Sequence, residues 1–127
     1  VIDLDTVMPG HFISDVGDML RTYISPANEE EKDCTKIEVR ADYLKAIWDG
    51  YMSEMKDELS VEEQNYFVYA GKFVIYMQAI RFLTDYLNDD VYYGTKYPGH
   101  NLVRAKNQIT LLKKIIEKDS DLQQIIK

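Results

Sequence analysis

The sequence predicts a mainly α-helical chain with one short strand at its beginning. Three observations carry that expectation. Apolar residues recur at helical spacing through most of residues 40–118. Helix-start signals stand where those periodic stretches begin. Only Val1-Ile2-Asp3-Leu4-Asp5 reads as a strand, with no second segment of that character after it.

The elements follow in order. Met8-Pro9-Gly10-His11 is a turn by composition. Ser14 offers an N-cap, and Asp15 and Asp18 favour the first turn of a helix that reaches about Ile24 and buries Val16, Met19, Leu20 and Tyr23. Gly17 in that first turn points to close approach of another backbone. Ser25-Pro26-Ala27-Asn28 stops the helix, and Glu29-Glu30-Glu31-Lys32-Asp33 reads as a solvated surface tip. Arg40 to Leu59 is strongly amphipathic, with Tyr43, Leu44, Ile47, Trp48, Tyr51, Met52 and Met55 at helical spacing. Gly50 in its middle marks an expected close helix crossing. Ser60-Val61-Glu62-Glu63 is a capping box. It opens a long helix, Val61 to Leu87, that is apolar on more than one face and is therefore expected to be central. Asn88-Asp89-Asp90 ends it, and Val91 to Gly99 is an aromatic, extended connection. Asn101 is expected to cap a helix from Leu102 to about Lys118, and Ser120 a short last turn through Ile126.

The 127 residues suffice for one helical domain, 1–127, with one core. At 46% hydrophobic and 29% charged, the balance is that of a globular chain and not of a disordered one. The formal charge is −7 and no Lys/Arg stripe exists, so nucleic acid is excluded as an expected partner. No apolar run approaches the roughly 20 residues that span a bilayer, so no membrane partner is expected either. Cys34 stands alone, which removes an internal disulfide and a Cys-based zinc site. With no visible signal peptide, a cytoplasmic setting is expected. Ten tyrosines fit either a core with wet edges or a groove for something polar. The opening strand has no partner strand in the chain, so we expect a fragment whose sheet partners lie before Val1.

Chemistry concentrates in a few clusters. Asp3 and Asp5 alternate on the strand and share a face, where two carboxylates can meet a hard cation such as Mg²⁺ or can simply cap nearby amides. Asp15 and Asp18 are one helical turn apart, and Asp18 can pair with Arg21. Both acids also complement the helix dipole without any further role. Arg81 and Asp85 share one face of the long helix beside Tyr86, a setting for a hydroxyl-rich ligand or for a plain intrahelical ion pair. Tyr92, Tyr93 and Tyr97 either wall a pocket or pack the connection. His11 follows the strand in a turn and can touch a substrate there.

The run Val-Ile-Asp-Leu-Asp-Thr-Val-Met-Pro-Gly, followed by Asp-Val-Gly-Asp-Met-Leu-Arg, resembles the segment after the catalytic loop in the aminoglycoside phosphotransferase and choline-kinase-like superfamily, and within it the N-acetylhexosamine 1-kinases. Arg81-Phe82-Leu83-Thr84-Asp85-Tyr86-Leu87, Asp90-Val91-Tyr92-Tyr93 and His100-Asn101-Leu102-Val103-Arg104-Ala105, with Gln108 following, resemble the same subfamily in the same order. The resemblance implies the helical C-terminal lobe of a protein-kinase-like fold and a parent enzyme that transfers phosphate from ATP to a sugar. It implies that Asp3 binds the nucleotide's Mg²⁺, that Asp5 is a second metal or acceptor contact, and that Asp15, with Asp18 and Arg21, braces the active-site loop. His11, Arg81, Asp85 and Tyr86 would face the substrate.

The family's nucleotide lobe, phosphate-binding lysine and His-Gly-Asp catalytic loop have no match in the chain, so the catalytic Asp is expected upstream and the isolated chain is expected to be inactive, with Mg²⁺ and ATP belonging to the full-length enzyme. N-acetylglucosamine or N-acetylgalactosamine follows from the resemblance alone, and choline or an aminoglycoside stays open as acceptor. A non-catalytic helical interaction module derived from such a lobe is the alternative. In a fragment, the surface that faced the missing lobe would be exposed and apolar, and self-association of the fragment is expected from it. Relatives in mucin-degrading bacteria sometimes carry a mucin-desulfating label. Cys34 lies in Asp33-Cys34-Thr35-Lys36-Ile37, which lacks the C/S-x-P-x-R pattern that sulfatases need.

Overall fold

The computed structural model describes residues 7–126. Among them the regular structure is helical, with no strand. The strand expected at Val1–Asp5 lies outside the described residues, and Asp3 and Asp5 with it.

Helix α1 spans Ile13–Tyr23 and starts after Phe12 without a side-chain cap, so Ser14 lies inside the helix and does not cap it. Asp15 in the first turn and Arg21 in the last complement the helix dipole. Helix α2, Ala41–Met55, begins one residue after Arg40, which is extended (φ −93°, ψ 105°). From there Arg40 closes the end of α1. Its backbone N–H donates to the Ile24 carbonyl at 3.0 Å, and its guanidinium donates to the carbonyls of Tyr23 (2.7 Å) and Ser25 (3.1 Å).

The capping box forms as its residues require. The Glu63 N–H donates to Ser60 Oγ at 3.2 Å, and the Ser60 N–H donates to the Glu63 carboxylate at 2.8 Å. The helix it opens, α3, is only Val61–Asn65. Tyr66 (φ −84°, ψ 3°) interrupts it before the 21-residue α4, Phe67–Leu87. The single helix expected over 61–87 is therefore two. The break turns Phe67 fully inward, where its ring meets Trp48 edge-on at 4.9 Å and Tyr51 at 6.0 Å.

As expected, α4 is the central helix, packed chiefly on α1 and α5. The contact with α1 depends on small residues. A Cβ on Gly17 would lie 2.6 Å from the Ala70 carbonyl oxygen, and one on Gly71 would lie 2.9 Å from Leu20 Cδ1. The other glycine expectation fails. Gly50 has nothing within 4 Å of its Cβ position, because it lies on the exposed side of α2.

Helix α5, His100–Glu117, starts after Gly99, whose φ of 79° suits glycine. Asn101 is inside α5 and fully buried, so it does not cap the helix. Helix α6, Asp119–Ile125, contains Ser120 within it and carries Leu122 into the core. A Lys72–Asp119 ion pair of 2.8 Å links α4 to α6.

The acidic segment after α1 is not a solvated tip. Asn107 Nδ2 donates to the carbonyls of Asn28 (2.9 Å) and Glu31 (3.1 Å), and the Arg104 guanidinium donates to Glu30 at 2.9 Å. Arg21 bridges Asp18 (2.9 Å) and Glu29 (2.8 Å), so the expected Asp18–Arg21 pair forms and also reaches the loop. Arginines from two helices neutralise the acids and hold them against α5.

Candidate functional site

The described candidate residues fall into two groups at different ends of α4. The first surrounds the start of α1. His11 and Asp15 line an open groove of about 710 Å³ together with Tyr51 and Glu63. Burial raises the pKa of the Tyr51 phenol, and the Asp15 carboxylate adds to the effect, so the hydroxyl stays protonated and able to donate into the groove. Asp15 itself is exposed. Asp18 and Arg21 face away towards the 28–31 loop and bind each other there.

The second group lies where α4 ends. Asp85 is 5% exposed, and its carboxylate accepts three hydrogen bonds: from the backbone N–H of Tyr92 (2.8 Å), the backbone N–H of Tyr93 (2.8 Å) and Asn101 Nδ2 (2.9 Å). Asn101 Nδ2 also donates to Asp90 Oδ1 at 2.8 Å. The turn between them carries two consecutive non-glycine residues at positive φ, Asp89 (60°) and Asp90 (58°), held by the Asp90 N–H to Asp85 carbonyl bond of 2.8 Å. Asp85 is thus the anchor of the 88–99 connection. No ion pair links it to Arg81; its carboxylate is turned to the connection's own donors instead.

Arg81 is left with an exposed guanidinium. It donates only to Gln78 Oε1, at 3.4 Å, and among the described residues no carboxylate lies within ion-pair distance. It sits beside the rings of Tyr93 (5.5 Å) and Tyr92 (5.9 Å). The Tyr93 ring packs on Phe82 at 4.8 Å and its hydroxyl accepts from Gln78 Nε2 at 3.2 Å, while Tyr92 is 75% exposed. Tyr86 is partly exposed on the last turn of α4. The result is a guanidinium with unused donors next to two tyrosine faces on a rigidly anchored loop.

The two groups do not form one pocket. His11 lines a cavity with Tyr69, and the helical rise from Tyr69 to Arg81 is about 18 Å. His11 therefore stands apart from Arg81, Asp85 and Tyr86. Among the described residues, no group of three or more His, Cys, Asp or Glu side chains could hold a metal ion. No protein-family model matches the chain.

Two residues outside the expected set matter for the geometry. Fully buried His100 takes the Lys96 N–H on Nδ1 at 3.2 Å, which leaves the proton on Nε2, an atom without a hydrogen-bond partner whose nearest carboxylate oxygen is Glu30 Oε1 at 3.7 Å. Burial lowers its pKa, with Arg104 acting in the same direction and Glu30 opposing. Asn101 joins Asp85 to Asp90 from within α5. Both stand in the His100–Ala105 run that carried part of the resemblance; the sequence otherwise suggests Asn101 only as a helix cap.

Proposed function

We propose that the chain is the acceptor-side helical lobe of an ATP-dependent small-molecule phosphotransferase acting on an N-acetylhexosamine-type sugar. The observation that carries this reading is the Arg81–Tyr92–Tyr93 platform. Sugar recognition needs hydrogen-bond donors beside aromatic faces, and Arg81 offers unused donors beside two tyrosine rings. Asp85 contributes as a positioning residue, because its three hydrogen bonds set where both tyrosines stand. Support also comes from the ordered resemblance of motifs from Val1 to Gln108 and from the helical architecture.

In this reading Asp3 and Asp5 hold Mg²⁺, which would neutralise charge on the transferring phosphate. Asp15, on the first turn of α1, would brace the turn that follows them. The lysine and catalytic Asp of the family have no match here, so the chain alone should show no turnover with MgATP.

The test is a chemical-shift titration of the chain with N-acetylglucosamine, N-acetylgalactosamine and choline. Weak binding of a sugar, with shifts at the Tyr92 and Tyr93 amides, is expected, together with its loss in Arg81→Ala. Absence of shifts at high millimolar sugar, or shifts unchanged in Arg81→Ala, would remove the platform from the acceptor role. Robust phosphorylation of a sugar by the chain alone would overturn the expectation that the catalytic residues lie elsewhere.

A further inference from the structure

Helix α4 is apolar on two opposite sides. One side is buried against α1 and α5. The other faces solvent, and its spacing is specific. Tyr66, Tyr69, Phe73 and Tyr76 follow one another in steps of three, four and three, each between 42% and 54% exposed. The same alternation continues through Ile80, Leu83 and Leu87, exposed by 44%, 42% and 70%. Three heptads of strict a/d spacing form a coiled-coil seam, the pattern that seats a second helix. No charged residue lies in the seam itself. Along it, aromatic residues occupy the first half and aliphatic residues the second.

We infer that this seam is the interface of an antiparallel dimer of the chain, helix α4 against helix α4. Three features select a second copy as the occupant. In an antiparallel pair each a position meets a d position, and Tyr66 faces the partner's Leu83, Tyr69 the partner's Ile80 and Phe73 the partner's Tyr76. Large rings then meet smaller aliphatic groups in four of the six layers, which keeps the helix separation even along the seam. A parallel pair would stack Tyr66, Tyr69 and Phe73 on their own copies and leave the aliphatic end loose. The half-exposed seam offers on the order of 700 Å² per copy, close to the roughly 800 Å² per partner of a standard stable interface. At the positions of α4 that flank the seam the one charge is Lys72, and Asp119 already pairs it at 2.8 Å, so no free charge there selects a heterologous partner. This inference does not rest on the phosphotransferase reading.

The test is sedimentation equilibrium of the 127-residue chain from low to high micromolar concentration. A monomer–dimer equilibrium is expected. Phe73→Glu and Ile80→Glu should each weaken it by at least ~100-fold, since each buries a charge in the seam. Both side chains are only partly covered in the single chain (42% and 44% exposed), so melting at a dilution where the chain is monomeric should move far less than association does, which separates loss of association from loss of fold. Ile116→Glu, on the exposed side of α5, should leave the dimer intact. In a Cys34→Ser background, mixing Tyr69→Cys with Ile80→Cys chains under oxidation should give a disulfide-linked pair, and Tyr69→Cys alone should not. A chain that stays monomeric throughout, or a dimer indifferent to Phe73→Glu, would overturn the inference. Cross-linking of Tyr69→Cys to itself would overturn the antiparallel register.

Discussion

The two sides of α4 are built from much the same residues and have opposite surroundings. Phe67, Val68, Ile75 and Phe82 are at most 2% exposed, whereas Phe73, Tyr76, Ile80 and Leu83 are each above 40%. Hydrophobicity does not separate them. Small residues do. Ala70 and Gly71 open a groove on the buried side, Gly17 lets α1 settle into it, and Leu20 fills the space that Gly71 leaves. On the exposed side every seam position carries a large side chain, so close approach of another backbone is blocked and only knobs-into-holes packing can cover it. The buried side has a shape that admits α1, and the exposed side does not.

The most direct way to break this comparison is to remove one ring from each side. Phe82→Ala should cost about 3–5 kcal/mol in denaturant unfolding, since the ring is buried under Tyr93 and Arg104. Phe73→Ala, at a ring 42% exposed and stacked only on Tyr69, should cost about 1 kcal/mol in the monomer, well below the loss at Phe82. Equal costs for the two at low concentration would erase the distinction. Next in size, Gly17→Ala places a Cβ 2.6 Å from a backbone carbonyl that cannot yield, and about 2–3 kcal/mol should be lost. If the variant is as stable as the parent chain, the α1–α4 contact is looser than the structure shows.

Asp85→Asn sharpens the comparison at the helix end. It puts a donor among three donors, and about 1–3 kcal/mol should be lost, with faster amide exchange at Tyr92 and Tyr93 but little change at Ile75. Unchanged exchange at the tyrosines would show that the connection is held by something other than this carboxylate.

The smallest effect expected is on pH. The His100 pKa is lower in the fold than the ordinary 6.5 of the unfolded chain. As pH falls through 6.5 the unfolded chain takes up its proton first, so the stabilisation present above 6.5 is lost progressively down to the folded value. Glu30 works in the same sense at lower pH. Its hydrogen bonds from Lys96 and Arg104 depress its pKa, so its contribution is present above the usual 4.5 and disappears as pH drops below it. Melting temperature should therefore decline from neutral to mildly acid pH, and His100→Gln should flatten the upper part of that decline. A slope unchanged in His100→Gln would assign the transition to another group.

Much of this architecture was legible beforehand, for local reasons. Helical periodicity, the Ser60–Glu63 capping box, the close approach at Gly17, the Asp18–Arg21 pair and the central position of α4 all depend on residues near one another in the chain. Where the structure departs from the sequence expectation, the cause is a distant partner. Gly50 looks like a crossing point until α2 is seen to turn it outward. Asn101 looks like a cap until α5 begins one residue earlier and buries it against Asp85 and Asp90. Glu29–Glu31 look solvated until Arg21, Arg104 and Asn107 arrive from helices far apart in sequence. The Arg81–Asp85 pair has the right spacing, yet Asp85 binds backbone donors of a loop that only the fold returns to it.

By itself the sequence determined that the chain is mainly helical, roughly where the helical stretches lie, and that the 61–87 stretch has more apolar surface than one core contact can use, because propensity, capping and periodicity are short-range. Only the tertiary structure decided which side of α4 is buried, which carboxylate is an anchor and which arginine has no carboxylate partner among the described residues. Those outcomes depend on packing shape and on hydrogen-bond competition between groups that the chain order keeps apart.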